Sequence, residues 1–166
     1  MKKFVLLVMM LIAATSFGAM VESETIELGI DGMLDFDNPE GHAESILDLS
    51  LGYFFWDDIE VGGLLGFRNN GSDFGLGLGA FGEFIFDVDF AVAPFIPVSM
   101  SFNFGDYYPD DHLLIELGAG LKCFVTEYLA VNLAFIYSLA SEDVFINNEK
   151  AENYDMGLRA GLSCYF

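Results

Sequence analysis

Apolar and polar residues alternate one for one along the C-terminal stretch of this chain. Tyr154, Met156, Leu158, Ala160, Leu162, Cys164 and Phe166 fall on one side, and Asp155, Gly157, Arg159, Gly161, Ser163 and Tyr165 on the other. Successive side chains of a strand point to opposite faces, so this period predicts a strand with one apolar and one polar or small face. Seven earlier segments read the same way: Thr25 to Asp35, Ser45 to Phe54, Ile59 to Arg68, Phe74 to Phe86, Phe90 to Phe104, Leu113 to Phe124 and Leu129 to Leu139. In the second, for example, Leu47, Leu49, Leu51 and Tyr53 oppose Asp48, Ser50 and Gly52. Each segment is near or above the roughly 9 to 11 residues of a tilted membrane-spanning strand.

The connections alternate as well. Phe55 to Asp58, Asp87 to Asp89 and Val125 to Tyr128 are short and flanked by aromatics. Asp37 to Glu44, Asn69 to Asp73, Asp106 to His112 and Ser141 to Asn153 are polar and mostly longer. Short turns at one end and longer loops at the other are the asymmetry of an outer-membrane barrel. The aromatics at the short turns predict a girdle at the periplasmic interface. Asn70 followed by Gly71 is a strong hairpin signal. Pro94 and Pro97 each remove a ladder donor from the fifth strand and predict a bulge there, near the periplasmic rim.

The N-terminus follows another rule. Lys2 and Lys3 precede an apolar run from Phe4 to Ala14, and small residues follow at Ser16, Gly18 and Ala19. That is the layout of a secretory signal peptide, so residues 1–19 are expected to be a cleaved leader and residues 20–166 the barrel. The run is short of the roughly 20 residues a spanning helix needs.

Composition sharpens the picture. The chain is 54% hydrophobic, yet carries 26 acidic and 6 basic residues and a net charge of −20. Losing Lys2 and Lys3 with the leader leaves 26 acids against Arg68, Lys122, Lys150 and Arg159, a net charge of −22. Apolar content spread through short alternating segments, beside so much charge, is reconciled if lipid solvates one face of every strand. The fold class expected is therefore all-β: an eight-stranded, antiparallel, up-and-down transmembrane β-barrel. Nucleic acid is not an expected partner, because phosphate binding needs clustered Lys and Arg.

The chain resembles the small eight-stranded outer-membrane barrels, the OmpA/OmpX-like group, over essentially all of residues 20–166. The most specific likeness is the terminal segment, a polar Arg159, then Gly161, Cys164 and a final aromatic Phe166. In that group such a segment is the signal read by the barrel-assembly machinery. The resemblance implies that role for Arg159, Gly161, Cys164 and Phe166, with Cys164 departing from the larger hydrophobic usual there. It also implies an outer-membrane location, with membrane lipid and lipopolysaccharide as surroundings.

Candidate chemistry lies on the enclosed face. The alternation points Glu27, Asp31, Asp35, Asp48, Glu60, Glu83, Glu116 and Asp155 inward, with only Arg68, Lys122 and Arg159 for company. An eight-stranded barrel is just wide enough for its side chains to fill, and charges buried there must be paired or hydrated. A lumen ion cluster of Asp31, Asp48, Glu83, Glu116, Lys122 and Arg159 is therefore expected, with Arg159 near Asp31 and Lys122 near Glu83. Divalent cations are candidate partners for the carboxylate excess, although no metal-loop spacing is present and no metal ligand is assigned. No cofactor is expected. Cys123 and Cys164 fall on the lipid face of strands six and eight, separated by strand seven. At about 4.8 Å per strand they lie beyond the roughly 7 Å limit for a disulfide and are expected as free thiols. The two histidines, His42 and His112, fall in expected external loops, without the nucleophile, base and orienter of a catalytic site.

The function expected is a non-catalytic outer-membrane barrel with a structural or surface-interaction role. A narrow cation or small-solute channel is one alternative. A soluble, periplasmic lipocalin-like binder is the other, and would need a polar exterior.

Overall fold

A computed structural model of the chain describes residues 22–35, 44–86, 88, 91–147 and 150–166. The expected leader and His42 lie outside the described residues, as does the side chain of Asp35. Every regular element among the described residues is a strand: β1 (Ile26–Asp35), β2 (Glu44–Trp56), β3 (Ile59–Asn69), β4 (Phe74–Ile85), β5 (Val92–Phe104), β6 (His112–Thr126), β7 (Leu129–Ala140), β8 (Phe145–Asn147), β9 (Lys150–Glu152) and β10 (Tyr154–Tyr165). Eight of them close into one antiparallel barrel in the order β1-β10-β7-β6-β5-β4-β3-β2. The closing seam pairs Leu28 with Cys164 and Ile30 with Leu162. Ile26 and Phe166 extend it by exchanging both backbone hydrogen bonds, at 3.1 and 2.9 Å. The eight-stranded fold read from the alternation is the fold observed. The short hairpin of β8 and β9 lies within the last loop, a stretch for which the sequence pattern predicts a polar loop and no strand.

The alternation sorts the barrel into two chemistries. Outward positions are apolar and exposed on every barrel strand, as at Leu28, Leu51, Leu78, Met100, Leu117, Leu133 and Leu158. Inward positions hold the buried Glu27, Glu60, Glu83, Glu116 and Lys122. Aromatics collect at both ends of the outward face. Near the short turns, Tyr53 meets Phe55 and Phe84 meets Phe86, each pair edge-on at 4.9 Å. Near the longer loops, Phe67 meets Phe74, Phe102 meets Phe104 and Tyr137 meets Tyr154. Phe74 and Phe84 are ten residues apart on β4. At about 3.4 Å per residue and a tilt of about 40° they are separated by about 26 Å of height, the height of the apolar band of an outer-membrane barrel.

Two irregularities differ from the sequence expectation. β5 passes its prolines without an extra residue: Phe95 pairs with Gly120 and Val98 with Leu117 in one unbroken register. Pairing with β6 lapses only at Ile96 and Pro97. Gly118 accommodates the proline ring, since a Cβ there would come within 3.1 Å of Pro97 Cγ. The register shifts fall instead between Phe54 and Trp56 and between Phe124 and Thr126. There an extra residue at a short turn adds local twist. At the opposite end, Gly71 turns the β3–β4 hairpin at φ 93°, a conformation L-residues resist. The Asn70 side chain accepts the backbone N–H groups of Ser72 and Asp73 at 3.0 and 2.8 Å.

Candidate ion cluster in the lumen

The inward charges form separate groups at two heights rather than one cluster. Near the short turns, Lys122 on β6 is wholly buried. Its Nζ donates to Glu27 Oε2 at 2.7 Å and to the Tyr165 hydroxyl at 3.2 Å. It also forms an ion pair with Glu83 Oε1 at 2.5 Å. The ammonium lies 5.4 and 5.6 Å from the Phe95 and Tyr165 ring centroids. The second oxygen of Glu27 accepts from Ser163 Oγ at 2.5 Å, and Ser163 in turn accepts from Asn132 Nδ2 at 2.6 Å. Phe54, Ile85, Ala93, Phe95, Phe124 and Tyr165 pack around this group as an apolar floor.

Glu60 joins the same group beside the Glu27 carboxylate, without a cation of its own. Its position opposite Glu83 in the β3–β4 register places two carboxylates side by side. One oxygen each from Glu27, Glu60 and Glu83 lies within 4.8 Å of the others. No N–H or O–H donor reaches either Glu60 oxygen among the described residues. Glu27 and Glu60 were not among the expected cluster residues. Their inward parity was legible, but their convergence on Lys122 depends on reach across the lumen.

Nearer the longer loops, Arg159 grips Glu116 with both nitrogens, Nη1 to Oε2 at 3.0 Å and Nη2 to Oε1 at 2.6 Å. Ser99 and Ser138 donate to the same carboxylate at 3.0 and 3.2 Å. Arg68 holds Asp48 in a similar fork, at 2.7 and 3.1 Å. Arg159 does lie near Asp31, as expected, close enough for the two charges to act on each other, but its hydrogen bonds go to Glu116. Arg159 reaches past Ala134 on β7 to β6, where two hydroxyls complete the bonding of Glu116. The Asp31 carboxylate instead covers Gly161, its register partner, leaving no room there for a Cβ. Between the two levels lies a cavity of about 100 Å³, lined by Asp31, Asp48, Glu83, Glu116, Arg68 and Arg159 among others.

His112 is not an exposed loop residue but the buried first residue of β6. Its Nδ1 lies 3.0 Å from the Asp110 carbonyl and its Nε2 lies 3.3 Å from Asn103 Nδ2. A carbonyl only accepts, so the ring proton sits on Nδ1 and Nε2 accepts from the amide. Tyr108 packs edge-on against His112 at 4.9 Å and covers Gly75 at the mouth of the barrel. Burial raises the pKa of the Tyr108 hydroxyl above the ordinary phenol value, an effect that Arg68 opposes.

The residues of the expected assembly signal divide between the faces. Arg159 and Gly161 point inward, Cys164 is half-buried on the outward face, and the Phe166 ring is exposed beside the seam. Cys123 and Cys164 are both free thiols.

No family model and no curated protein sequence matches the chain. Solved structures do. The N-terminal β-barrel domain of OprF from Pseudomonas aeruginosa is similar with a TM-score of 0.61 at 16% identity, over 87% of this chain and 98% of that one. Neisserial surface protein A is similar with a TM-score of 0.57 at 18% identity, over 86% and 95% of the two chains. A de novo designed transmembrane β-barrel follows with 0.55 at 15% identity, over 89% and 99%. At these identities the likeness is one of fold, and the fold this chain shares with them is the closed, eight-stranded antiparallel barrel of the transmembrane kind.

Proposed function

We propose that the chain is an integral outer-membrane barrel protein with a structural or surface-interaction role and no catalysis. One observation carries this reading: exposed apolar side chains occupy the outward positions of all eight barrel strands, between two aromatic belts, around an enclosed charged interior. In water that exterior would be a continuous apolar patch far beyond the few hundred Å² or so that soluble monomers expose. In lipid it is solvated. A soluble lipocalin-like binder would need the opposite arrangement. Outer-membrane lipid and lipopolysaccharide are the surroundings this implies, and delivery by the barrel-assembly machinery follows from the terminal segment.

The interior favours a silent barrel over a channel. Lys122, Glu27 and Glu83 tie strands β6, β1 and β4 together across the lumen, above a floor of packed aromatics. His112 is held in the barrel wall by Asp110 and Asn103, and neither is a nucleophile for it to activate. Membrane fractionation followed by gel mobility with and without heating tests the placement. The protein should partition with the outer membrane and migrate faster unheated. Recovery in a detergent-free soluble fraction would overturn the reading. In planar bilayers the folded protein should be silent, and reproducible cation-selective openings would replace the structural role with passage.

A further inference from the structure

We propose that Glu27, Glu60 and Glu83 form a binding site for one hard divalent cation at the floor of the lumen. The site belongs to the folded barrel itself, whether or not the barrel conducts.

The geometry suits such an ion. One oxygen from each carboxylate lies within 4.8 Å of the other two. Oxygens that share one hard cation at about 2.1–2.4 Å stand at most about 4.8 Å apart, and these three meet that bound. All three donors are carboxylate oxygens, the ligand type of hard cations. They come from β1, β3 and β4, so strand pairing rather than a flexible loop holds them.

The second observation is Glu60 itself. It is fully buried, at 0% exposure, and no N–H or O–H donor reaches either of its oxygens among the described residues; the side chain it meets at hydrogen-bonding range is the Glu27 carboxylate, a second acceptor. A buried carboxylate left so costs several kcal/mol or more unless something neutralises it. The carboxylate lies over Gly52, and a Cβ there would collide with Glu60 Oε1, so the space it occupies depends on a missing side chain. Lys122 makes ion pairs with Glu27 and Glu83 and none within 4 Å with Glu60. Three carboxylates against one ammonium leave two negative charges, which one divalent cation would cancel. Glu27 and Glu83 also line the lumen cavity, so an ion can arrive from the lumen.

The competing account is a proton held by Glu60. The folded protein, purified in zwitterionic detergent and stripped with a chelator, is titrated with Ca2+ by calorimetry, beside Glu60→Gln. One saturable site is expected in the unaltered protein, weakened at least tenfold by the substitution, with heat-dependent gel mobility showing that the variant is folded. Amide shifts on Ca2+ addition should centre on Glu27, Glu60 and Glu83. That map needs no variant and decides the matter if Glu60→Gln does not fold. Absence of saturable binding, equal binding in Glu60→Gln, or shifts confined to loops 105–111 and 141–153 would each overturn the site. So would an infrared band of a protonated carboxyl that Glu60→Gln removes and saturating Ca2+ leaves in place.

Discussion

Lys122 Nζ and Glu27 Oε2 meet at 2.7 Å across the barrel lumen, although β7 and β10 lie between their strands. Both groups are almost wholly buried, with side-chain exposures of 1% and 6%. Strand pairing brings neither to the other. Only closure of the barrel does, so this contact is a measure of closure.

Lys122→Met should destabilise the barrel by about 3–5 kcal/mol, because it strands buried carboxylates without their cation. Urea unfolding in micelles, followed by gel mobility, checks this. Changing Glu27→Gln together with Lys122→Met should recover part of the loss, since fewer charges are then left unpaired. A Lys122→Met barrel as stable as the parent would mean that the ammonium does not hold the floor together.

Arg159→Ala should cost less, about 1–2 kcal/mol, because charge-assisted hydrogen bonds are strong but the Arg159 side chain is 31% exposed and its pairing is weakened by solvent screening. Measured in the same urea series, the loss should fall short of that for Lys122→Met. The reverse ranking would place the principal lumen tie at the Glu116 level.

Gly52→Ala should destabilise by about 1–3 kcal/mol, the usual cost of overpacking a filled site. The new Cβ would enter the space of the Glu60 carboxylate. Combining it with Glu60→Ala should restore most of the loss, and a purely additive pair would show that the two residues do not compete for that space.

The lipid face can be read directly. Nitroxide labels at Leu49, Leu133 and Leu162 should report hydrocarbon, while labels at Asp48 and Asn132 should report a polar setting. Leu133, 53% exposed, should lose about 2–4 kcal/mol as Leu133→Arg if it lies at the bilayer midplane. A change within about 0.5 kcal/mol, as at a watery surface, would contradict lipid contact there.

Cys123 faces Val131 and Cys164 faces Leu129, on opposite edges of β7. Alkylation after denaturation without reductant should therefore modify both thiols, and mass mapping should find no bridge. A bridged peptide would require a different register.

Much of this fold was legible because a strand encodes its own two faces. The alternation in Tyr154 to Phe166 specifies β10 without any other part of the chain, and the Asn70 and Gly71 pair marks the β3–β4 hairpin. The proline argument at Pro94 and Pro97 went astray because a missing donor need not insert a residue. Gly118 gave the ring room, and the ladder merely skipped two pairs. His112 read as a loop residue because it follows Asp110 and Asp111, yet Asn103 across the β5–β6 pair draws it into the wall.

What the chain by itself determined was parity: which residues face lipid, which face inward, and where the strands turn. That follows from local geometry, since each side chain's face depends only on its place in the strand. Which inward charges meet was decided by the closed barrel. Arg159 chose Glu116 over Asp31, and Glu27, Glu60 and Glu83 converged around Lys122, because those distances run across the lumen. They depend on strand stagger, on side-chain length and on small residues such as Ala134 and Gly52 that leave space, none of which a linear pattern records.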